Sequence, residues 1–264
     1  MACVSRYLIS TPTRVTIESM PSYRTEAIVL RTHKLAEADR IITLLTRDRG
    51  KVRAVAKGVR RTKSRFGARL EPFSRVDLLV YEGRNLDTIT QAESIDAFGR
   101  DMALDYALWT VGQTMLETAD RLTPEENMDA ASQYLLLVAG LRALVAGEHT
   151  ASLVLDSYLL RALSLAGYEP ELSSCVVCSA PGDQPFFHVA SGGLVCAEHR
   201  PPGSVAPKNE SIELMRSLLA GDWDVCDNST SSHQREVNGL VAAYVQWHLE
   251  RDLRSLSMVE RTIP

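Results

Sequence analysis

Lys51-Val52-Arg53-Ala54-Val55-Ala56-Lys57-Gly58 is the stretch on which the reading of this chain turns. In an extended strand Val52, Ala54 and Ala56 fall on one face, and Lys51, Arg53, Val55 and Lys57 on the other. Alternation with a period of two predicts a half-buried strand rather than a helix. Four further runs rich in Ile, Val, Leu and Thr flank it, at residues 26–31, 39–46, 75–81 and 86–96. Turn residues separate them, among them Arg49-Gly50 and Glu82-Gly83-Arg84-Asn85. Five short strands in succession predict a small closed barrel, because closure hides the edges an open sheet would expose. Strand count alone fits an OB-fold and an SH3-like barrel equally well.

The same strand sits inside a concentration of charge. Arg47, Arg49, Lys51, Arg53, Lys57, Arg60, Arg61, Lys63, Arg65 and Arg69 are ten of the chain's 29 Lys and Arg, and Asp48 is the one acid among them. The chain as a whole is acidic, with a formal net charge of −4. Positive potential gathered into one segment of an acidic protein points to a polyanion, with nucleic acid the first candidate. Same-face side chains of a strand recur every ~6.7 Å, near the spacing of successive phosphates on an extended nucleic-acid strand. Beyond Lys57 the run continues through a polar, glycine-bounded loop expected to adapt to a phosphate backbone. Phe66 lies in that loop, where its ring either stacks on a base or folds back onto the barrel.

From Gly99 the periodicity becomes helical. Helices are expected over 101–121, from Pro124 to about Gly147, over 151–166, over 209–220 and over 233–255. Thr123-Pro124-Glu125-Glu126 reads as a capping box, with an N-cap Thr, Pro in the first turn and Glu three residues after the cap. Gly167 and then Pro170 stop the helix before them. The expected fold class is α+β: a five-stranded barrel over residues 22–98, then an all-helical domain over 99–264. Residues 1–21 are expected to be a disordered extension. No apolar stretch approaches the ~20 residues that span a bilayer, and no secretory signal is visible.

Cys175-x2-Cys178 is followed, 17 residues later, by Cys196-x2-His199. Two close pairs of soft ligands separated by a loop match a tetrahedral Zn²⁺ site with three Cys and one His. Ser191-Gly192-Gly193 supplies the turn of a short hairpin between the pairs, inside an insert at 171–206. Four protein ligands leave no open position for activated water, so the zinc is expected to be structural, one per chain. His188 is the competing fourth ligand. Cys3 and Cys226 stand apart with no implied role, and reduced, intracellular cysteine usage fits this pattern.

No phosphate-binding loop, GxGxxG or HExxH is present. The remaining histidines are isolated in sequence, and nothing assembles a nucleophile, a base and oxyanion donors. A binding protein is therefore expected, not an enzyme. The rival readings are a zinc-dependent nucleic-acid hydrolase and a zinc-containing DNA-binding regulator.

Several short stretches taken in order carry a resemblance. Residues 23–30 (Tyr-Arg-Thr-Glu-Ala-Ile-Val-Leu), Glu37-Ala38-Asp39-Arg40-Ile41, Ala56-Lys57-Gly58-Val59-Arg60-Arg61 and Leu70-Glu71-Pro72-Phe73 come first. The cysteine pair, the Ser-Gly-Gly turn, and His248-Leu249 with Leu253-Arg254-Ser255 follow. Together, over roughly residues 22–256, they resemble the bacterial RecO family of recombination mediators. That resemblance implies an N-terminal OB-fold, a helical domain and a zinc element. It also implies a DNA repair and recombination role in the cytoplasm, near the nucleoid. Binding of single- and double-stranded DNA, annealing of complementary strands, and work with RecR and single-strand-binding protein to load RecA are implied with it. Arg251 and Arg254 are candidates for holding an acidic partner peptide, or for a helix C-terminal role.

Overall fold

Five strands form the first part of the computed structural model, which describes residues 21–123 and 130–249. They are β1 (Ser22–Lys34), β2 (Arg40–Thr46), β3 (Gly50–Ala56), β4 (Ser74–Tyr81) and β5 (Asp87–Ala97). They close in the order β1-β2-β3-β5-β4, with β4 returning to pair with β1. All pairs are antiparallel except β3 with β5. This is the OB arrangement, and it decides between the two barrel types that strand count left open. The alternation in β3 holds at Ala54 and Ala56, which join Ala27, Val29, Ile42, Leu44, Val76, Leu78 and Val80 in the barrel core. Val52, in contrast, is half-buried beside a cleft lined by Lys51 and Arg53, and Val55 on the other face is buried too.

The outer face of the barrel is not all solvent. Ile28, Leu30, Leu45 and Phe73 belong to a second core that they share with helical residues such as Val111, Met115, Tyr134 and Leu137. The helices involved are α1 (Phe98–Met102), α2 (Tyr106–Leu122) and α3 (Ala131–Ala146). Phe73 is the pivot. Its φ of 69° is left-handed, its ring is wholly buried, and it meets Trp109 edge-on at 4.7 Å. Gly112 makes room for that ring, because a Cβ there would lie 2.9 Å from Phe73 Cε1. A polar network rims the junction. Arg75 pairs with Glu26 at 2.8 Å and Asp96 at 3.0 Å, and donates to the Tyr134 hydroxyl at 2.9 Å. The Arg75 hydrogen bond holds the Glu26 carboxyl below its usual range.

The helical part continues with α4 (Ala151–Leu165), α5 (Asn209–Ala220), α6 (Trp223–Asp227) and α7 (Ser231–His248). The single helix expected over 101–121 is two, because the Asp105 side chain caps α2 by accepting from Leu108 N–H at 3.1 Å. Helix α7 starts two residues before the expected position, at the Thr230 cap. The short α6 had no periodic signal in the sequence. Residues 124–126 of the expected capping box, the extension 1–20, Cys3, Arg251 and Arg254 lie outside the described residues. No helix among those described is long and apolar enough to cross a membrane.

Candidate nucleic-acid interface and metal centre

The basic segment folds as strand, then cap. After β3, residues 57–70 make a series of turns held by Arg61 N–H to Gly58 O at 3.1 Å, Ser64 N–H to Arg61 O at 2.9 Å and Arg69 N–H to Phe66 O at 3.1 Å. Three apolar anchors, Val59, Phe66 and Leu70, insert into the barrel core. The β1–β2 loop grips the start of this cap. Asp39 Oδ1 accepts from Gly58 N–H at 2.7 Å, and the Glu37 carbonyl accepts from Arg60 Nη1 at 2.8 Å. The expected adaptable loop is thus a stopper seated on the barrel, because apolar residues at 59, 66 and 70 alternate with its cations. Phe66 is 1% exposed. It is corrected from a base-stacking candidate to a core residue, with only the Arg65 guanidinium over its ring at 4.8 Å.

Anchoring turns the charge outward. Arg47, Arg53, Lys57, Arg60, Arg61, Lys63, Arg65 and Arg69 are all exposed, and none forms an ion pair among the described residues. The other two expected cations are engaged. Arg49 donates to Glu82 at 2.8 Å and lies 3.9 Å over the Tyr23 ring. Lys51 Nζ donates to the Asp120 carbonyl at 2.7 Å and lies 3.2 Å from its carboxylate. The even ladder expected on the outer face of β3 therefore reduces to Arg53 and Lys57. Leu45, opposite Lys51 in register, packs into the helical core, and α2 reaches this end of the strand through Asp120.

A cleft of about 400 Å³ lies between β3 and the β4–β5 loop, lined by Tyr23, Lys51, Arg53, Arg84 and Asn85 among others. Tyr23 donates to Asp87 Oδ2 at 2.6 Å, and burial with that bond pushes its hydroxyl pKa up, so it stays protonated. OB-folds bind oligonucleotides on the β2–β3 face and its flanking loops. Arg84 and Tyr23 were not singled out in the sequence. Only the parallel β3–β5 pairing brings the 82–86 turn beside β3, and no local pattern encodes that pairing.

The four metal-type residues do converge. One ligand atom from each of Cys175, Cys178, Cys196 and His199 lies within 4.8 Å of the others. Cys178 Sγ and Cys196 Sγ are 4.0 Å apart, and His199 Nδ1 is 3.2 Å from Cys196 Sγ. Zn–S bonds of about 2.3 Å in a tetrahedron put sulfurs about 3.8 Å apart, so the donors and their spacing fit zinc. The backbone N–H of Cys178, with those of Cys196 and Val177, draws the Cys175 thiol down to about 6 against the effect of burial. His188 is not in the group; its Nδ1 is 2.7 Å from Ser191 Oγ. The hairpin between the pairs is β6 (Phe186–His188) and β7 (Gly193–Val195). Gly193 is required because a Cβ would come 2.3 Å from the Glu171 carbonyl oxygen. Phe187 and Leu194 tie the hairpin into the helical core, with Phe187 5.9 Å from the Tyr244 ring. Cys226 lies in the same core, its thiol pushed up to about 11 by burial.

A second groove, of about 810 Å³, runs between α3, α4 and α5. Its rim carries the exposed Leu135 and Leu165 with Arg161 and Arg216. Arg216 is held by Asp183 and Glu213, whereas Arg161 has no ion pair among the described residues.

Two family models match, "Recombination protein O N terminal" over residues 20–98 and "Recombination protein O C terminal" over residues 103–257. A protein of Nocardioides sp. named DNA repair protein RecO is 59% identical over 242 residues, spanning 90% of this chain and 99% of that one. Proteins of the same name from Streptomyces griseus and Streptomyces avermitilis are 53% and 54% identical over 248 residues, each covering 92% of this chain and 100% of their own length.

Proposed function

The chain belongs to the RecO family of DNA repair proteins, and on that premise we propose that it is a non-enzymatic recombination mediator. It binds DNA through the cap and the exposed face of β3, and anneals complementary strands. The observation that carries this reading is the set of eight exposed cations free of ion pairs among the described residues. Six of them are displayed by a cap that three core residues hold in place, and the other two, Arg47 and Arg53, lie beside it on the β2–β3 hairpin. Phosphate contacts of this kind give affinity without base preference. Charge neutralised on two strands at once lowers their mutual repulsion, which is what annealing requires. The cleft beside Arg53 and Arg84 offers a path for a single strand, while the cap, a convex basic surface, accepts a duplex as readily.

Zinc in the Cys175, Cys178, Cys196 and His199 site, one ion per chain, would fix the 171–206 segment against α5 and α7. It would supply no reaction chemistry, since the four ligands complete its tetrahedron. The helical half is the side for protein partners. The groove between α3, α4 and α5 pairs apolar walls with an unpaired arginine, which suits a short acidic and apolar peptide such as the tail of single-strand-binding protein. RecR and, indirectly, RecA complete the partner set, and the setting is the bacterial cytoplasm.

The test is an annealing assay with complementary oligonucleotides. A variant with Arg60, Arg61, Lys63 and Arg65 all changed to Ala is expected to anneal at least tenfold more slowly while melting at the wild-type temperature. Unchanged annealing by a folded variant contradicts the proposal.

A further inference from the structure

Asp120, in the last turn of α2, meets two cations of the barrel at once. Arg31 Nε donates to its Oδ2 at 2.6 Å, and Lys51 approaches both its Oδ1 at 3.2 Å and its backbone carbonyl at 2.7 Å. The buried Oδ1 accepts no aligned hydrogen bond among the described residues and is balanced by the Lys51 charge. A carboxylate at the C-terminal end of a helix faces the negative pole of the helix dipole. It is poorly placed there unless cations hold it, and here strands β1 and β3 supply them. Lys51 is also a wall of the cleft beside Arg53 and Arg84. The side chains of Lys51 and Asp120 are only 13% and 18% exposed, so this pair is little screened by solvent, unlike the cap cations.

We propose that Asp120 is an affinity-setting residue of the DNA site: it occupies on Lys51 the place a phosphate would take and so withholds that cation from a strand in the cleft, while Arg31, outside the cleft, holds the carboxylate in position. This rests on the DNA-binding reading above. Lys51, a wall of the cleft, thus holds α2 to the barrel, and the strand sees only the cleft's unpaired cations. The consequence is weaker, more exchangeable binding at the cleft than the charge count implies, a useful property for a protein that must release annealed product.

The test is single-stranded oligonucleotide binding measured against salt concentration. Each added phosphate contact steepens the log–log slope by about 0.7 and, at 0.1 M salt, tightens binding about fivefold. Asp120→Asn keeps the shape of the side chain and is expected to bind about fivefold more tightly, with a slope steeper by about 0.7. Weaker or unchanged binding by the folded variant overturns the proposal. Should Asp120→Asn fail to melt cooperatively, Lys51→Met decides: its slope is expected to equal the wild type's, whereas Lys63→Met loses about 0.7. A Lys51→Met slope that falls as Lys63→Met does overturns the proposal. If instead the Lys63→Met slope is unchanged as well, the DNA-binding reading itself falls, and the two failures are told apart.

Discussion

Phe66 shows how far one residue's role depends on what lies behind it. In the sequence it is an aromatic among cations, the composition of a stacking site. In the fold it is a wholly buried wedge that seats the cap on the barrel. Truncating it to Ala is expected to cost about 3–5 kcal/mol of stability, the usual range for a large core side chain. Phe66→Leu, in contrast, should bind DNA with the wild-type salt slope. Chemical denaturation with fluorescence or circular dichroism, paired with oligonucleotide titration, checks both halves. A stable Phe66→Ala with impaired binding would return the ring to a stacking role. Lys51 teaches the complementary lesson. Alternation told correctly which way it points, but only the packing of α2 against β1 and β3 says that an acid is waiting there.

At the scale of elements, what was legible follows from locality. The strands, α4 and α5 came out of periodicity and end signals, each within a few residues. The cluster of four candidate metal ligands came out of spacing, because Cys-x2-Cys and Cys-x2-His fix two half-sites that one hairpin brings together. The break between α1 and α2 was hidden because Asp105 interrupts a continuous apolar pattern by capping, not by changing composition. The cleft was hidden because its two walls, β3 and the 82–86 turn, are joined only through the parallel β3–β5 pairing. The metal element also carries a prediction of its own. About one zinc per chain is expected by elemental analysis, and removal by a strong chelator should make the 171–206 segment more susceptible to proteolysis. DNA affinity should change little, because the barrel does not lean on this segment. Chelation that abolishes DNA binding while leaving the proteolysis pattern unchanged would contradict a structural role.

Taken whole, the molecule is an OB barrel whose basic cap and β3 face look outward while its β1–β2 side is merged into a helical core. The sequence suggested two units meeting near Phe98, and the hydrophobic core ignores that line, running from Ile28 and Phe73 into α2 and α3. The merger matters for function because it decides which cations remain free: the helices take Lys51 and Arg31, and leave the cap untouched. On the proposed reading, an acidic protein then holds DNA by one small surface and keeps the rest of itself for other proteins. The most direct test is the salt dependence of single-strand affinity for the wild type beside the Arg60/Arg61/Lys63/Arg65→Ala variant. With about six of the eight free cations on phosphate, the wild-type slope of log K against log salt should be about −4, falling to about −1 in the variant. A nearly flat wild-type response, or an unchanged slope in a folded variant, would contradict the account.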